Sequence, residues 1–499
     1  MSECRKVEKT DTKTETLIIK SFFLLVPVIT GLFHQNTIDN DFFFLYPTGE
    51  YIVNNGFPHT DFLSMHSSMN IIVQQWLSSV IYYYLQSLFG KTGIMVFLSL
   101  VNFVIILLLY RWIRLIIKNE ILSSVFACFI DIILVGFFVV SRPQVFTYIL
   151  LLCEVLLLEK YVLTKKRNLL LLLPVISIAL INLHAAMWPM LLVLMLPFIA
   201  GSVPVHFKKI KLEANGNIIE LLITLLLSTG AGFLNPYGIK SMLYLTTSYG
   251  QEKLSVIEEM SAISIDSICG KIIFGICFII GLTIFFKKDR PFSIRFFLLF
   301  FGTFLLCLMQ AKGFAYFLLF GIPAFLFVIR DIDSKSVKVI KLSKTHKILL
   351  FSLFIVFLAI CGISLYKNHK EDTLGNNKYN SHKIHLDEAI EELDQQSGDI
   401  ILFANFNDGQ YLEYHGYHPY IDGRAELFLK ANNKEFDYFE EYYDLLASKV
   451  YYKDFLNKYD FNYLIVDQNV DRYLYLSLIH DADYKVIYES EDIVLFRSL

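Results

Sequence analysis

Residues 18–43 read IIKSFFLLVPVITGLFHQNTIDNDFF, an apolar run that ends in a pair of acidic residues. The run is long enough to cross a bilayer, and no small-residue cleavage site follows it. It therefore predicts a retained membrane helix and not a signal peptide. Asp39 and Asp41 lie directly after this run. Carboxylates beside lipid are costly and are candidates for function, although a solvated acidic loop is the ordinary alternative.

The composition of the chain favours a membrane protein with many spans. Hydrophobic residues make up 55% of the 499 residues, and the mean hydropathy is +0.51. Such a chain is too apolar for a soluble enzyme. It has no basic stripe of the kind that binds nucleic acid, so no nucleic-acid partner is expected. The seven cysteines have neither CxxC spacing nor the Cys/His spacing of metal sites.

Eleven apolar segments are long enough to span a bilayer. They lie near residues 18–35, 92–110, 121–141, 145–163, 168–183, 187–203, 217–234, 269–286, 293–309, 314–329 and 347–366. The basic clusters that follow alternate segments all fall on one side of the membrane if residues 71–89 do not cross it. We therefore predict eleven crossings of the inner (plasma) membrane and a helix over 71–89 that lies along its outer surface.

This topology divides the chain into three regions. Residues 1–17 form a cytoplasmic N-terminal segment, and residues 18–366 form a polytopic α-helical membrane domain whose first outer loop is 36–91. Residues 367–499 are extracytoplasmic, because the basic clusters mark the other side as cytoplasmic.

Polar residues collect in the segments that this topology places outside. They are Asp39, Asp41, Asp61, His66, Arg142, Asn182, His184, Asn235 and Lys312. Each one alone is explained by turn chemistry or by an ordinary hydrogen-bonded histidine. Their convergence on one face predicts a cleft with acidic and basic groups, which suits a lipid phosphate and an acceptor group.

Two acidic residues fall inside predicted spans. Asp131 and Glu154 lie on neighbouring helices, without an evident partner. Intramembrane acids are candidate functional residues, and a proton-coupled transporter would need them. A structural hydrogen bond between helices is the other interpretation, and it is the one that we favour.

The chain changes character near residue 367, where long apolar runs stop and charged residues become frequent. Residues 384–393 have helical periodicity, and residues 399–403 and 462–466 are typical of buried strands. Residues 485–488 and 493–496 flank an acidic turn and predict a hairpin. The region is therefore predicted to be a small α/β domain with a core of its own.

Two glycine-containing stretches in this domain predict tight turns. They are NDGQYL at 407–412 and YIDGRAE at 420–426. Glycine permits the backbone angles that such turns need. One interpretation is a loop that covers the membrane site or contacts an acceptor, and the other is turn chemistry with an Asp–Arg pair.

Taken together, these motifs resemble the bacterial GT-C-type glycosyltransferases. These are integral membrane enzymes related in fold to protein mannosyltransferases and to the aminoarabinose transferase. The resemblance covers nearly the whole chain and rests on Asp39-x-Asp41-Phe-Phe, Thr48-Gly49-Glu50-Tyr51-Ile52, Gly56-x-Pro58-x-x-Asp61-x-x-Ser64, Gln75-Trp76-Leu77, Arg142-Pro143-Gln144, Asn182-x-His184, Asn235-Pro236-Tyr237-Gly238, Gly409-x-Tyr411-Leu412 and Ile421-Asp422-Gly423-Arg424. The chain departs from the pattern at Phe42–Leu45, at Gln75, where an acidic residue is common, and at Lys312, where an arginine is usual.

The resemblance implies an inverting transfer of a sugar from a polyprenyl-phosphate donor to an extracytoplasmic acceptor. It implies that Asp39 or Asp41 is the general base, with Asp39 favoured by its match to the family position. It leaves Arg142, His184 and Lys312 to stabilise the leaving phosphate, and Asp61, His66, Asn182 and Asn235 as further substrate-binding residues. No cofactor is certain, although Mg²⁺ or Mn²⁺ held by the acidic pair would suit hard oxygen ligands.

Two other functions compete with the transferase. A transporter or flippase for lipid-linked glycans would favour internal repeats, and no convincing repeat is present. A non-catalytic envelope-assembly protein would have degenerate outer-loop residues, and the departures from the family pattern are its support.

Overall fold

The computed structural model describes residues 16–31, 38–207, 210–212, 214–248, 257, 260–286, 292–330 and 378–499. The predicted span at 347–366 and residues 1–15 of the predicted N-terminal segment lie outside these described residues. The number of crossings therefore stays a prediction.

Helices dominate the first 330 residues. In chain order they are α1 Thr16–Gly31, α2 Phe42–Asn55, α3 Trp76–Ile117, α4 Glu120–Phe137, α5 Gln144–Thr164, α6 Leu172–Leu183, α7 Trp188–Ala200, α8 Ile218–Ala231, α9 Ile239–Met242, α10 Tyr244–Ser248, α11 Ile268–Phe286, α12 Ile294–Met309, α13 Gly313–Tyr316 and α14 Ile322–Phe325. A π-turn at Phe317–Gly321 joins α13 to α14, and a short hairpin of β1 Val205–Phe207 and β2 Ile210–Leu212 follows α7. Ten of the predicted apolar segments coincide with these helices.

The remaining elements belong to the C-terminal region. The helices are α15 Lys378–Asp394, α16 Gly409–Tyr414, α17 Lys430–Asn433, α18 Tyr438–Leu446, α19 Tyr452–Lys458 and α20 Arg472–Leu478. The strands are β3 Leu402–Phe403, β4 Tyr463–Asp467, β5 Tyr484–Glu489 and β6 Ile493–Ser498.

Two of the described helices, α3 with 42 residues and α4 with 18, are long and apolar enough to cross a membrane. Shorter apolar helices of 10–17 residues account for seven of the other predicted segments within the described residues, and the remaining one, 145–163, is α5 with 21 residues. The backbone hydrogen bonds of a spanning segment must be satisfied internally, which is why apolar runs of this kind become helices.

Helix α3 is two helices joined at Gly90. This glycine has φ +60° and ψ −162°, a conformation that breaks the helix and that other residues avoid. The first helix was predicted to begin at Ile71, but it begins at Trp76. Residues before it are extended, because Ile71 donates its backbone N–H to the His59 carbonyl at 3.0 Å. The placement of this helix on the outer surface stays a prediction.

The chain divides into two compact units, each built from three segments. Unit 1 contains Met1–Gln35, Met95–Met242 and Leu254–Cys361. Unit 2 contains Asn36–Ile94, Leu243–Lys253 and Gly362–Leu499. The first outer loop therefore packs with the C-terminal residues. The three predicted regions and their two boundaries stay a prediction.

Polar contacts tie the helices of unit 1 together inside an apolar bundle. Ser177 on α6 accepts from the Trp188 indole at 2.7 Å and donates to the Ser228 carbonyl of α8 at 2.6 Å. Arg295 on α12 makes a bidentate bond to Glu159 on α5, at 2.9 and 3.0 Å. In lipid, hydrophobic burial alone does not select which helices pair, because the lipid tails are equally apolar. Hydrogen bonds of this kind help to select the pairs.

The C-terminal part of unit 2 is a four-stranded sheet with helices, which confirms the α/β prediction. The strand order is β3-β4-β6-β5, with β3 parallel to β4 and the other pairs antiparallel. Every residue of β4 is buried, as expected for a central strand. The predicted strand at 399–403 forms only at Leu402–Phe403, and the predicted hairpin is β5–β6.

Candidate functional site

Unit 1 brings three of the predicted residues to one end of its helices. His184 follows α6 and is buried, and its Nδ1 lies 2.8 Å from the Thr147 hydroxyl in the first turn of α5. Lys312 precedes α13 and is close enough to His184 to act on it electrostatically. Arg142 is half-buried five residues before Thr147, in the turn that starts α5. An imidazole and two cations therefore share this end of the bundle.

Asn182 and Asn235 lie at the same end but serve the backbone. The Asn182 side-chain amide donates to the carbonyls of Ile178 and Leu234, at 2.8 and 2.9 Å. Asn235 donates to Gly232 and Gly238 and accepts from the backbone N–H of Tyr237. Asn182 thus holds the turn after α8 against the end of α6, and Asn235 closes that turn, which is sufficient to explain these residue types.

Lys312 is held in place by its own loop. Its Nζ lies 3.0 Å from the Met260 sulfur, and the backbone N–H of Ala311 donates to the Ser261 carbonyl at 2.9 Å. The Lys312 side chain is half-buried at this position.

In unit 2 the acidic pair forms the turn that starts α2. The Asp39 carboxylate accepts the backbone N–H of Asp41 at 3.0 Å, and the Asp39 carbonyl accepts from Phe42 at 3.0 Å. The amide of Asn40, between the two acids, donates to the Asn407 carbonyl at 2.7 Å. Both acids are half-buried, and these hydrogen bonds fix the turn.

Residues Phe42–Leu45, where the chain departs from the family pattern, are buried in unit 2. The ring of Phe43 packs on Tyr411 and Tyr414 of α16, with centroids 4.8 and 5.4 Å apart. The aromatic residues after the acidic pair therefore dock α2 on the C-terminal region. Edge-on aromatic packing of this kind fixes orientation as well as burying area.

Asp61 lies in a buried charge cluster and not at an open site. The guanidinium of Arg424 donates to Asp61 at 2.7 Å, to Asp422 at 2.9 Å through Nε, and to Glu413 at 3.1 Å. Burial alone would raise the pKa of Asp61, but Arg424 and Ser64 hold it below its ordinary value. Asp61 thus joins the first outer loop to the C-terminal region.

Glu413 reduces the excess of negative charge in this cluster. Burial, together with the neighbouring Asp422, raises its pKa well above the ordinary value and favours the protonated carboxyl. A protonated Glu413 relieves repulsion with Asp422, which a single guanidinium could not neutralise alone.

His66 also serves the packing of unit 2. Its Nε2–H donates to the Tyr420 carbonyl at 2.9 Å, and its ring stacks on Tyr438 with centroids 3.8 Å apart. Burial lowers the pKa of His66, and so the neutral ring is favoured. These contacts account for His66 as a packing residue, and its predicted role at a substrate site stays a prediction.

The two predicted glycine turns of the C-terminal region touch each other. Gly409 opens α16, and a side-chain Cβ there would lie only 2.0 Å from the Ile421 carbonyl oxygen. Gln410 accepts the backbone N–H of Gly423 at 2.7 Å. The Asp–Arg pair expected for the second turn is present as Asp422–Arg424. The contacts between these two stretches hold the turn that contains Arg424.

Sequence patterns did not indicate Lys383, which lies on α15 beside the acidic turn. Its Nζ sits 3.9 Å from the Phe43 ring centroid and 5.3 Å from that of Tyr411. Burial lowers its pKa to about 7, and Asp39 is the carboxylate that opposes this most. A single lysine in a charged helix carries no sequence signal, so only the fold could identify it.

His382, the neighbouring residue, bridges two carboxylates. Its Nδ1 lies 2.7 Å from Asp492, at the β5–β6 turn, and its Nε2 lies 2.8 Å from Asp408, which precedes α16. Burial works against the charged ring, but the hydrogen bonds that it donates to Asp408 and Asp492 raise the pKa of His382 to about 9. The imidazolium thus links α15 to both elements.

This bridge predicts a loss of stability in alkaline solution. The folded-state pKa of His382 is about 9, above the ordinary 6.5, so its contribution is complete below pH 6.5 and is lost as pH rises through about 9. The shift corresponds to about 3 kcal/mol. In detergent, the Tm of the wild-type chain should fall more between pH 6 and 9.5 than the Tm of His382→Gln. His480 is exposed, so His480→Gln is the control and should behave like the wild type. Equal falls in all three proteins would contradict the prediction.

The described residues do not assemble a metal site around the acidic pair. No three His, Cys, Asp or Glu side chains come together as metal ligands within the part of the chain that the structure describes. Asp61, a third carboxylate of the first outer loop, is bound by Arg424. The predicted Mg²⁺ or Mn²⁺ therefore stays a prediction, and no chemical step below is assigned to it.

Comparisons with known proteins give a likeness of fold. No family model matches the chain, and no curated protein matches its sequence. Among solved structures, the chain is similar to ArnT of Cupriavidus metallidurans, an aminoarabinose transferase solved with bound undecaprenyl phosphate. The similarity covers 97% of this chain and 98% of that one, with a TM-score of 0.54 and 11% sequence identity. The chain therefore has a GT-C-type fold, as its sequence motifs predicted.

Proposed function

We propose that this protein is a membrane glycosyltransferase. It takes a sugar from a polyprenyl-phosphate-linked donor and transfers it, with inversion, to a glycan, lipid or protein on the extracytoplasmic side of the inner membrane. The single observation that carries the proposal is the GT-C-type fold over 97% of the chain, in common with a transferase whose structure holds undecaprenyl phosphate.

The proposal assigns the general base to Asp39 in unit 2. As the acceptor oxygen bonds to the anomeric carbon of the donor sugar, its proton passes to the Asp39 carboxylate. The bond from that carbon to the phosphate oxygen breaks, and polyprenyl phosphate leaves with the electron pair. A positioned base contributes about 10²–10⁴ in rate, and the hydrogen bond from Asp41 N–H holds this one in place.

The proposal assigns the leaving phosphate to the cations of unit 1. Arg142 supplies a planar fork of donors, and Lys312 a compact charge. The hydrogen bond between His184 and the Thr147 hydroxyl fixes the orientation of the imidazole ring. Preorganised donors of this kind stabilise charge that develops on an oxygen as a bond breaks. Asn182, Asn235, Asp61 and His66 have backbone or packing roles and take no part in the proposed chemistry.

The test is a transfer assay with the full chain in membranes. Labelled sugars on undecaprenyl phosphate are supplied as a donor panel, and both labelled acceptor and released undecaprenyl phosphate are measured. Transfer from at least one donor, lost in Asp39→Asn, supports the proposal. No transfer from any donor by well-folded protein would move the weight to the transporter or assembly alternatives.

Arg142 provides a second prediction. Arg142→Ala should raise the KM for the donor by about 10- to 150-fold, the equivalent of a lost charged hydrogen bond of about 1.5–3 kcal/mol. Arg142→Lys should recover only part of this, because the planar fork is lost. The matched control is Arg114→Ala, because Arg114 lies in the last turn of α3, where it pairs with Glu120, and is not assigned to the donor site. An unchanged donor KM in Arg142→Ala would remove this residue from the proposed site.

A further inference from the structure

Lys383 is anchored against the helix that follows the acidic pair. Its half-buried Nζ lies 3.9 Å from the ring centroid of Phe43 and 5.3 Å from that of Tyr411. An ammonium over an aromatic face is attracted by the ring quadrupole, which fixes the head of a side chain that would otherwise be mobile. Tyr411 in turn donates to Asp387, one turn further along α15, at 2.6 Å.

The same region of unit 2 fixes the acidic turn. Phe43 lies four residues after Asp39, in the first turn of α2. Asn40 is bonded to the Asn407 carbonyl, and Asn407 directly precedes Asp408 and α16. Both the lysine and the turn are thus held by the C-terminal region, so their separation is set by packing.

Asp39 is the charge that most favours the protonated form of Lys383. Burial lowers the pKa of the lysine to about 7, and Lys91 acts in the same direction. Asp39 opposes these effects most strongly, followed by Asp387 and Asp408. The charge on Lys383 therefore depends on the charge on Asp39.

We propose that Lys383 is a positioning residue for Asp39, whose ammonium holds the Asp39 carboxylate oriented for removal of the acceptor proton. The proposal rests on the function proposed above, and it makes the C-terminal region a part of the catalytic apparatus. Lys383 acts through Asp39 and does not itself bond to the reacting atoms.

The pair gives a defined dependence on pH. Lys383 is charged below about pH 7 and loses its proton above it. The support for Asp39 is therefore present at pH 6 and is lost by pH 8.5. In the wild-type protein, kcat should fall across this range, whereas Lys383→Arg should not show the fall, because a guanidinium stays charged.

One measurement tests the pair without any enzymatic turnover. The rate at which an amine-reactive acylating reagent modifies Lys383 is followed against pH in the full chain in detergent, by mass spectrometry. The wild-type midpoint should lie near pH 7. Asp39→Asn removes the strongest favourable charge and should lower the midpoint by more than Asp387→Asn does. An Asp39→Asn midpoint that matches the wild type would overturn the proposal.

The second measurement is transfer activity. Lys383→Met should lower kcat by about tenfold or more, the equivalent of one pKa unit of coupling, with the donor KM within about twofold. Lys383→Arg should restore most of kcat. The control is Lys458→Met, since Lys458 also sits over aromatic rings, at 4.3 and 4.9 Å, and pairs with a carboxylate. Full kcat in Lys383→Met would overturn the positioning role.

The two measurements separate this inference from the proposed function. A shifted labelling midpoint in Asp39→Asn, with no transfer from any donor, would support the pair and reject the transferase. Normal transfer, with an unchanged midpoint and an active Lys383→Met, would support the transferase and reject the pair.

Discussion

Asp39→Asn is expected to lower the rate of sugar transfer by about 10²–10⁴, the usual contribution of a positioned general base. Asparagine keeps the size of the side chain and can still accept the backbone N–H of Asp41, which Asp39 binds at 3.0 Å. It cannot take a proton from the acceptor. The turn that starts α2 should therefore survive while the chemistry fails. The measurement is the initial rate of labelled-sugar transfer in membranes, normalised to protein level.

Asp41→Asn is the matched control, because it changes the other acid of the same turn. A larger loss in Asp41→Asn than in Asp39→Asn would exchange the roles of the two residues. Full activity in both variants would end the proposed mechanism. Unfolding is not the expected cause of lost activity, because both acids are half-buried and asparagine keeps the size of the side chain.

Arg424→Met should destabilise unit 2 by about 3–5 kcal/mol, the cost of leaving buried carboxylates without their cation. Arg424 is 7% exposed, and the side chains of Asp61, Asp422 and Glu413 are fully buried around it. Methionine fills much of the volume but offers no donor. The expected result is a lower unfolding midpoint in full chain solubilised in detergent, and faster proteolysis of the first outer loop.

Arg497→Met is the control for this experiment. Arg497 lies in β6 of the same unit but is exposed, so its loss should change stability by less than about 0.5 kcal/mol. Asp61→Asn should also recover part of the stability lost in Arg424→Met, since it removes one uncompensated charge. Equal midpoints for Arg424→Met and Arg497→Met would show that the cluster contributes little.

The helical architecture could be predicted because the bilayer imposes a simple rule. A segment that crosses lipid must satisfy its own backbone, so long apolar runs such as 145–163 become helices such as α5. The strands of the C-terminal region were predictable for a similar reason, because β4 is buried throughout and reads as a continuous apolar run. The start of the helix at Trp76 could not be predicted from the sequence, because it depends on backbone pairing between residues 59 and 71.

The individual polar residues were harder to interpret. Asp61 and Asp39 look alike in the sequence, as acids in one outer loop, yet Asp61 is fully buried against a guanidinium while Asp39 is half-buried. That difference depends on Arg424, which is 363 residues away, and spacing cannot reveal such a pair. His66 and Lys383 follow the same rule, because their partners Tyr420 and Phe43 come from the opposite end of the chain.

The division of unit 2 among three segments has a consequence for biosynthesis. Asp61 leaves the ribosome 363 residues before Arg424. At about 5–20 residues per second, the wait is roughly 20 to 70 seconds. During that time the nascent first loop has neither its cation nor the aromatic residues that dock α2. We expect it to need protection by a chaperone or by the membrane surface until the last third of the protein has been translated, and to be most open to proteases in chains whose synthesis stops early.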